Sequence, residues 1–539
     1  MKGHGALVVV SLSLLAPVHA QEKNTAPQNA SIRKEDMKPD LVFLASDLTR
    51  GRLTGTSENR IAAEFIKARF ERVGLKPAGP DGSFYQPYNL MTATLGTGNV
   101  LEIADGPNAS LRLVAGQDYY PHRFSASARV RAPLVYVGFG IRAEDYKGDV
   151  RGAIVLALDH EPGEFDPASP FDGVVSSEAS SQLRKTLLAQ SKGASGILFV
   201  EDVHNHPGPR NFEASARAYW PSEPPRVERF TLADWMERVR IPAAQVSPAL
   251  AEILVRGTSR PLLDLARAAE APGGFTPLPM PGPQVDLTVA VDRHVVPTRN
   301  VVGMVEGADP RLKDECVIVC AHYDHNGTDA GGQAFDGADD DISGIVGTIE
   351  IAEAYVLAAQ AGQRPPRTVL FAAWDAEERG LLGAWAYTER PVLPLEKTVA
   401  VLNLDMIGRN EEVPAGGDGR FRGLEVQTAE SNRNSVNVLG ESRFPWIRAE
   451  VDRANRPFGL QLKRVLDNNV SNLLRRSDHW PFMQRGVAAL WFLTGLHPDY
   501  HTVYDRPERI NDDKLEKIVR MVHQLSWELA RTGRKPTSQ

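Results

Sequence analysis

Five short segments carry residues able to do chemistry, and each lies just beyond an apolar run or opens a helical pattern. They are Ala321-His322-Tyr323-Asp324, Gly337-Ala338-Asp339-Asp340-Asp341-Ile342-Ser343-Gly344, Trp374-Asp375-Ala376-Glu377-Glu378-Arg379-Gly380, Asn403-Leu404-Asp405-Met406-Ile407-Gly408 and Asp499-Tyr500-His501-Thr502-Val503-Tyr504-Asp505. An imidazole such as His322 can bind a metal ion, and Asp324, two residues on, can accept from its other ring nitrogen and fix the tautomer. Three successive carboxylates ahead of an apolar helix repel one another unless a cation balances them, although they also suit a helix N-terminus. Each segment alone has an ordinary reading: a hydrogen-bonded histidine, a helix cap, a solvated helix start, a turn aspartate. Together, two histidines and three carboxylates make a nitrogen-and-oxygen donor set suited to zinc. The spare glutamate beside a ligand is suited to general-base work.

The elements that must position these residues follow from hydrophobic periodicity. Strands are expected at 285–291, 300–305, 316–320, 367–374 and 399–404, with helices at 343–359 and 381–387 between them. Such alternation predicts an α/β fold with a mixed, mostly parallel sheet and helices on both faces, and ligands bind at the carboxyl ends of such strands. Upstream, helical patterns run from Asp36 and over 62–73, followed by short strand-like runs from 86 to about 125. Residues 132–282 read as a β-rich module inserted into the larger domain, with a Pro- and Gly-rich linker at 261–283.

Met1-Lys2-Gly3-His4, the apolar stretch Ala6–Leu15 and the small-x-small end Val18-His19-Ala20 read as a signal peptide cleaved after Ala20, predicting export to the periplasm or medium. Residues 21–35 are expected to form a flexible leader and 535–539 a tail, leaving a catalytic domain split into 36–131 and 283–534. No later segment is expected to span a membrane. With 61 Lys and Arg against 68 Asp and Glu, the formal net charge of −7 gives no basic field for nucleic acid. Cys316 and Cys320 would lie about 13 Å apart on an extended strand, beyond the reach of a disulfide.

The ordered set His322-Tyr-Asp324, Gly337-Ala-Asp-Asp-Asp341, Glu377-Glu378, Asn403-Leu-Asp405 and Tyr500-His501-Thr502 resembles the two-zinc aminopeptidases of metallopeptidase family 28. Phe43-Leu-Ala-Ser-Asp47, Gly51-Arg-Leu-Thr-Gly-Thr56, Gly74-Leu-Lys-Pro-Ala78 and Ser477-Asp-His-Trp-Pro-Phe482 add to the likeness. The insert resembles a protease-associated domain through Asp149-Val-Arg-Gly-Ala-Ile-Val, Lys192-Gly-Ala-Ser-Gly-Ile-Leu-Phe-Val and Ile241-Pro-Ala-Ala.

The resemblance implies two Zn2+ per chain: His322 and Asp405 on one, Glu378 and His501 on the other, and Asp339 bridging both. It also implies Glu377 as general base, Tyr500 steadying the substrate carbonyl and a cis peptide at Asp339-Asp340. His325, Asp478 and His479 are left as supporting residues. The implied activity is hydrolysis of N-terminal residues from peptides by a metal-activated water. Its rivals are a carboxypeptidase acting on acidic C-termini, which would need arginines such as Arg409, Arg475 and Arg476 at the pocket, and a metal-free binding protein on the same fold. Glutaminyl cyclisation, the work of a one-zinc relative, is disfavoured by His322.

Overall fold

The computed structural model describes residues 25–104, 110–208, 211–282 and 284–534. The expected signal peptide and the tail 535–539 lie outside the described residues. The central strand Cys316–His322 is buried along its whole length because both of its faces are covered. Cys316, Ile318 and Cys320 point into one apolar cluster, while Val317, Val319 and Ala321 point into another. Alternation of period two between two cores is why this strand reads as an unbroken apolar run. Both cysteines are free and buried in it.

Around this strand the parallel core of the main sheet runs Thr368–Trp374, Cys316–His322, Thr398–Leu404 and Ala489–Leu493. Antiparallel strands extend it: Val291–Val305, Tyr85–Leu95 and Thr231–Leu232 on one side, Ser435–Leu439 on the other, where Gln461–Lys463 then pairs parallel to it at the far edge. Among the described residues this sheet has ten strands. Helices Lys34–Leu44, Ser57–Val73, Gly344–Gln360 and Asp512–Arg531 cover one face, and Leu382–Glu389 and His479–Met483 the other. The α/β architecture with helices on both faces is thus as expected. Register aligns His322 with Trp374, so the ends of neighbouring strands open into one crevice.

Three expectations are revised. Residues 26–32 are docked rather than flexible: Ala26, Asn29 and Ile32, three apart, are buried, and Asn29 donates to the Arg520 carbonyl on the last helix. The six-stranded sheet of the insert takes in Tyr119–Pro121, paired with Ala243–Val246, so that module begins before residue 132. The expected linker contains the helix Leu262–Ala269, whose Leu262, Leu265, Ala266 and Ala269 make a buried stripe that the local Pro and Gly content masks. One helical stretch, Ala338–Gln360, is long and apolar enough to cross a membrane, but 83% of its most apolar window is buried against the protein.

Candidate metal centre

The parallel strands deliver their C-terminal residues to one place. His322 closes its strand, Glu377 and Glu378 follow Thr368–Trp374, Asp405 follows Thr398–Leu404, and His501 lies beyond Ala489–Leu493. Asp340 stands between the two imidazoles: its Oδ1 is 3.1 Å from His322 Nε2 and its Oδ2 3.1 Å from His501 Nε2. Asp405 Oδ1 and Glu377 Oε2 each lie 3.8 Å from His322 Nε2, and Glu378 Oε2 lies 3.2 Å from His501 Nε2.

Asp339 is therefore misplaced as the bridging residue. Its Oδ1 accepts from Gly408 N at 2.6 Å and its Oδ2 faces His497 Nε2 at 3.2 Å, on the far side of the loop. Asp341 is also committed, to His322 N, Gly344 N and Met406 N. Although Asp341 lies close enough to His322 and Asp405 to be grouped with them as a metal donor, three backbone amides already occupy its oxygens. The cis peptide follows the same one-residue correction and is Asp340-Asp341.

The loop carrying these aspartates has little freedom. Asp505 accepts from both Asp339 N and Asp340 N. A Cβ on Gly344 would sit 2.1 Å from the Leu404 carbonyl oxygen, so only glycine lets the helix start this close to the neighbouring strand end. From below, the fully buried Arg52 donates to the carbonyls of Leu44, Tyr323, Asp336 and Gly337, which explains the Gly51-Arg52-Leu53-Thr54 segment. Ala376, Met406 and His501 all adopt positive φ, an arrangement costing about 1–3 kcal/mol each that aims the side chains beside them.

Supporting hydrogen bonds orient the donors. The Asp324 backbone carbonyl is 3.2 Å from His322 Nδ1, while its carboxylate accepts from Glu377 N and Glu378 N. Asp324 thus ties the imidazole to the glutamate turn. Asn403 donates to Ser477, which donates to Asp405. Glu378 Oε1 is taken by Asn326 Nδ2 at 2.9 Å and faces His325 Nδ1 at 2.6 Å, leaving Oε2 toward His501. Asp478 and His479, at the start of the short helix, are fully buried. Tyr500 stacks on His501, and its hydroxyl accepts from Arg476 at 2.9 Å.

The electrostatics point to missing positive charge. Burial pushes the Glu377 carboxyl well above its usual range, and lifts Asp405 to about 7, with His322 opposing both. Against their own burial, the carboxylates around them hold His322 well above the ordinary imidazole range and His501 at about 10. Asp340, Glu377, Glu378 and Asp405 still outnumber the two imidazoles, and buried uncompensated charge is costly. His322 Nε2 and both ring nitrogens of His325 are buried without a hydrogen-bond partner. Donor type, convergence and charge all fit zinc.

Sequence reasoning set aside His325, which groups with Asp340 and Glu378 as a possible metal donor, and left out His497 and Asp505, which hold Asp339 and the aspartate loop. His497 had no signal beyond one histidine in a loop. Asp505 could have been found as an aspartate free to cap the amides of a turn rich in carboxylates.

Residues 300–526 match the family described as Peptidase family M28. Among curated proteins, the chain is 25% identical over 523 residues to the probable glutamate carboxypeptidase LAMP1 of Arabidopsis thaliana, covering 88% of this chain and 68% of that one. It is 26% identical over 247 residues to aminopeptidase YwaD of Bacillus subtilis, covering 44% and 46%. Among solved structures, an aminopeptidase from Aneurinibacillus sp. strain AM-1 aligns over 94% of this chain and 96% of that one, at 18% identity and a TM-score of 0.47. The matched region holds the whole donor set at the strand ends, from His322 to His501, so this part of the chain is similar to Peptidase family M28.

Proposed function

We propose that this protein is an exported two-zinc aminopeptidase. His322 and Asp405 would hold one ion, Glu378 and His501 the other, with Asp340 between them. Zinc bound there supplies Lewis acidity, which acidifies a water and polarises the scissile carbonyl. Glu377, its carboxylate beside His322, takes the proton from the attacking water and returns it to the leaving amine. The Tyr500 hydroxyl, already accepting from Arg476, keeps its own proton to donate to the carbonyl oxygen as negative charge develops there. Leu381, Leu473, Leu496 and Trp491 form the apolar side of the cavity and suit an apolar N-terminal side chain.

The observation that carries the choice of terminus is the engagement of the arginines. Arg409 pairs with Asp499 at 2.8 Å, Arg475 donates to the Ser176 carbonyl and reaches Glu178, and Arg476 donates to Tyr500. The cluster that would clamp an acidic C-terminus is already in use, while the carboxylate-rich floor favours a substrate ammonium. The rival reading, a carboxypeptidase, is favoured by Arg475 and Arg476 both lining the cavity. Aminoacyl anilides and N-acetylated peptides ending in glutamate separate the two. Hydrolysis of the anilides alone is expected, and hydrolysis of the blocked peptides alone would overturn the assignment. Export rests on the N-terminal pattern, and a periplasmic or extracellular product starting at Gln21 is expected.

A further inference from the structure

A second convergence of metal-ligating side chains lies in the inserted module. His160 follows the strand Ile154–Leu158, and His206 lies in the loop after Gly196–Val200. Their rings approach to 4.3 Å between centroids, and Glu164 lies between them, with His160 Nδ1 at 3.1 Å from Oε2 and His206 Nε2 at 2.6 Å from Oε1. The Glu164 side chain is only 10% exposed. Glu164 Oε1 and His206 Nε2 are buried and close but not aligned as a hydrogen bond. One ligand atom from each of the three residues lies within 4.8 Å of the others. Donors bound tetrahedrally to zinc at 2.0–2.2 Å lie about 3.4 Å apart, so an ion would draw His160 Nδ1 slightly and His206 Nε2 further from the Glu164 oxygens they now face.

The surrounding backbone is built to hold this arrangement. His206 N donates to the Asp202 carbonyl and His204 N to the Asp202 carboxylate. Lys185 donates to the carbonyls of Leu158 and His160, and Glu270 accepts from Gly163 N and Asn205 Nδ2. His206 also lines an open groove with His204 and Glu201, which gives an ion a path of entry.

We infer that His160, Glu164 and His206 form a third metal site, taking a divalent transition ion such as zinc with a fourth position open to solvent. The site clamps the 159–178 loop, whose other end packs on the catalytic domain. Val174 N donates to Asn468, Ser176 N to Asn472, and Arg475, on the cavity wall, donates to the Ser176 carbonyl. An ion here therefore braces one wall of the peptidase cavity from the insert.

The test is made on the full chain, dialysed against a chelator and then equilibrated with zinc alone, with bound metal counted per folded chain. A His160→Gln/His206→Gln double variant is expected to bind one ion fewer than the parent and to keep its far-UV circular dichroism. Glu378→Ala is expected to lose ions while keeping this one, which separates failure here from failure at the catalytic centre. Zinc should slow proteolysis within 159–178 of the parent several-fold and leave the double variant unchanged. Equal zinc counts in parent and double variant would overturn the proposal. Should that variant misfold, anomalous scattering from zinc-soaked parent crystals decides: a peak among His160, Glu164 and His206 supports the site, and its absence overturns it.

Discussion

Replacing Asp340 and Asp339 separately by asparagine tests which aspartate serves the metal centre. Asp340 places one oxygen 3.1 Å from each of His322 and His501, whereas Asp339 spends its oxygens on Gly408 N and His497. Asp340→Asn keeps the shape but removes one of four carboxylates and the oxygen that would serve the second ion. If about 4 kcal/mol of transition-state stabilisation is lost with the metal, kcat/KM falls about 10^3-fold at 1.36 kcal/mol per decade. Asp339→Asn keeps an acceptor for Gly408 and loses its charge against His497, costing about 1–3 kcal/mol of stability and less than about 100-fold in metal affinity. Bound zinc after dialysis, measured beside kcat/KM on an aminoacyl anilide, reads both effects. The reverse order, with Asp339→Asn losing metal and Asp340→Asn keeping it, would refute the placement.

Three further outcomes follow from the same geometry. Glu377→Gln should lower kcat by about 10^2–10^4-fold with bound zinc unchanged, whereas Glu378→Ala should lose zinc; metal analysis of the two variants distinguishes base from ligand. Tyr500→Phe should lower kcat about 10^2-fold with little change in KM, as expected for a donor used in the transition state, and an unchanged kcat would remove Tyr500 from the mechanism. On the core helix, burial, reinforced by Glu353, pushes the Glu350 carboxyl from 4.5 up to about 8. Between those values the folded chain holds a proton that the unfolded chain has released, so this group's contribution to stability falls as pH rises through the window. Glu350→Gln should therefore melt above the parent at pH 9, by at most about 5 kcal/mol in stability, with the gap closing toward pH 5; a pH-independent gap would contradict the burial argument.

Much of this centre was legible because the sheet dictates it. Strand ends at His322, Trp374 and Leu404 could be read from apolar runs, and a parallel sheet brings such ends together. The aspartate that faces both imidazoles was missed by one residue, since three consecutive carboxylates have no periodicity to rank them. Capping logic contains the missing signal: Gly344 N needs an acceptor three residues back, which assigns Asp341 to the helix and leaves Asp340 for the crevice. Arg52 was legible only as part of a Gly-rich turn, because its carbonyl partners come from loops up to 285 residues away. The docked residues 26–32 and the helix in the expected linker were hidden by polar and Pro-rich composition, although Leu262, Leu265, Ala266 and Ala269 carry helical spacing.

The central claim is that one carboxylate, Asp340, lies between two zinc ions at the carboxyl ends of the sheet. Diffraction from zinc-loaded crystals above and below the zinc absorption edge tests it most directly. Two anomalous peaks about 3.5–4 Å apart, one on each side of Asp340, are the predicted result. A single peak in the crevice, or a peak pair centred on Asp339, would contradict it.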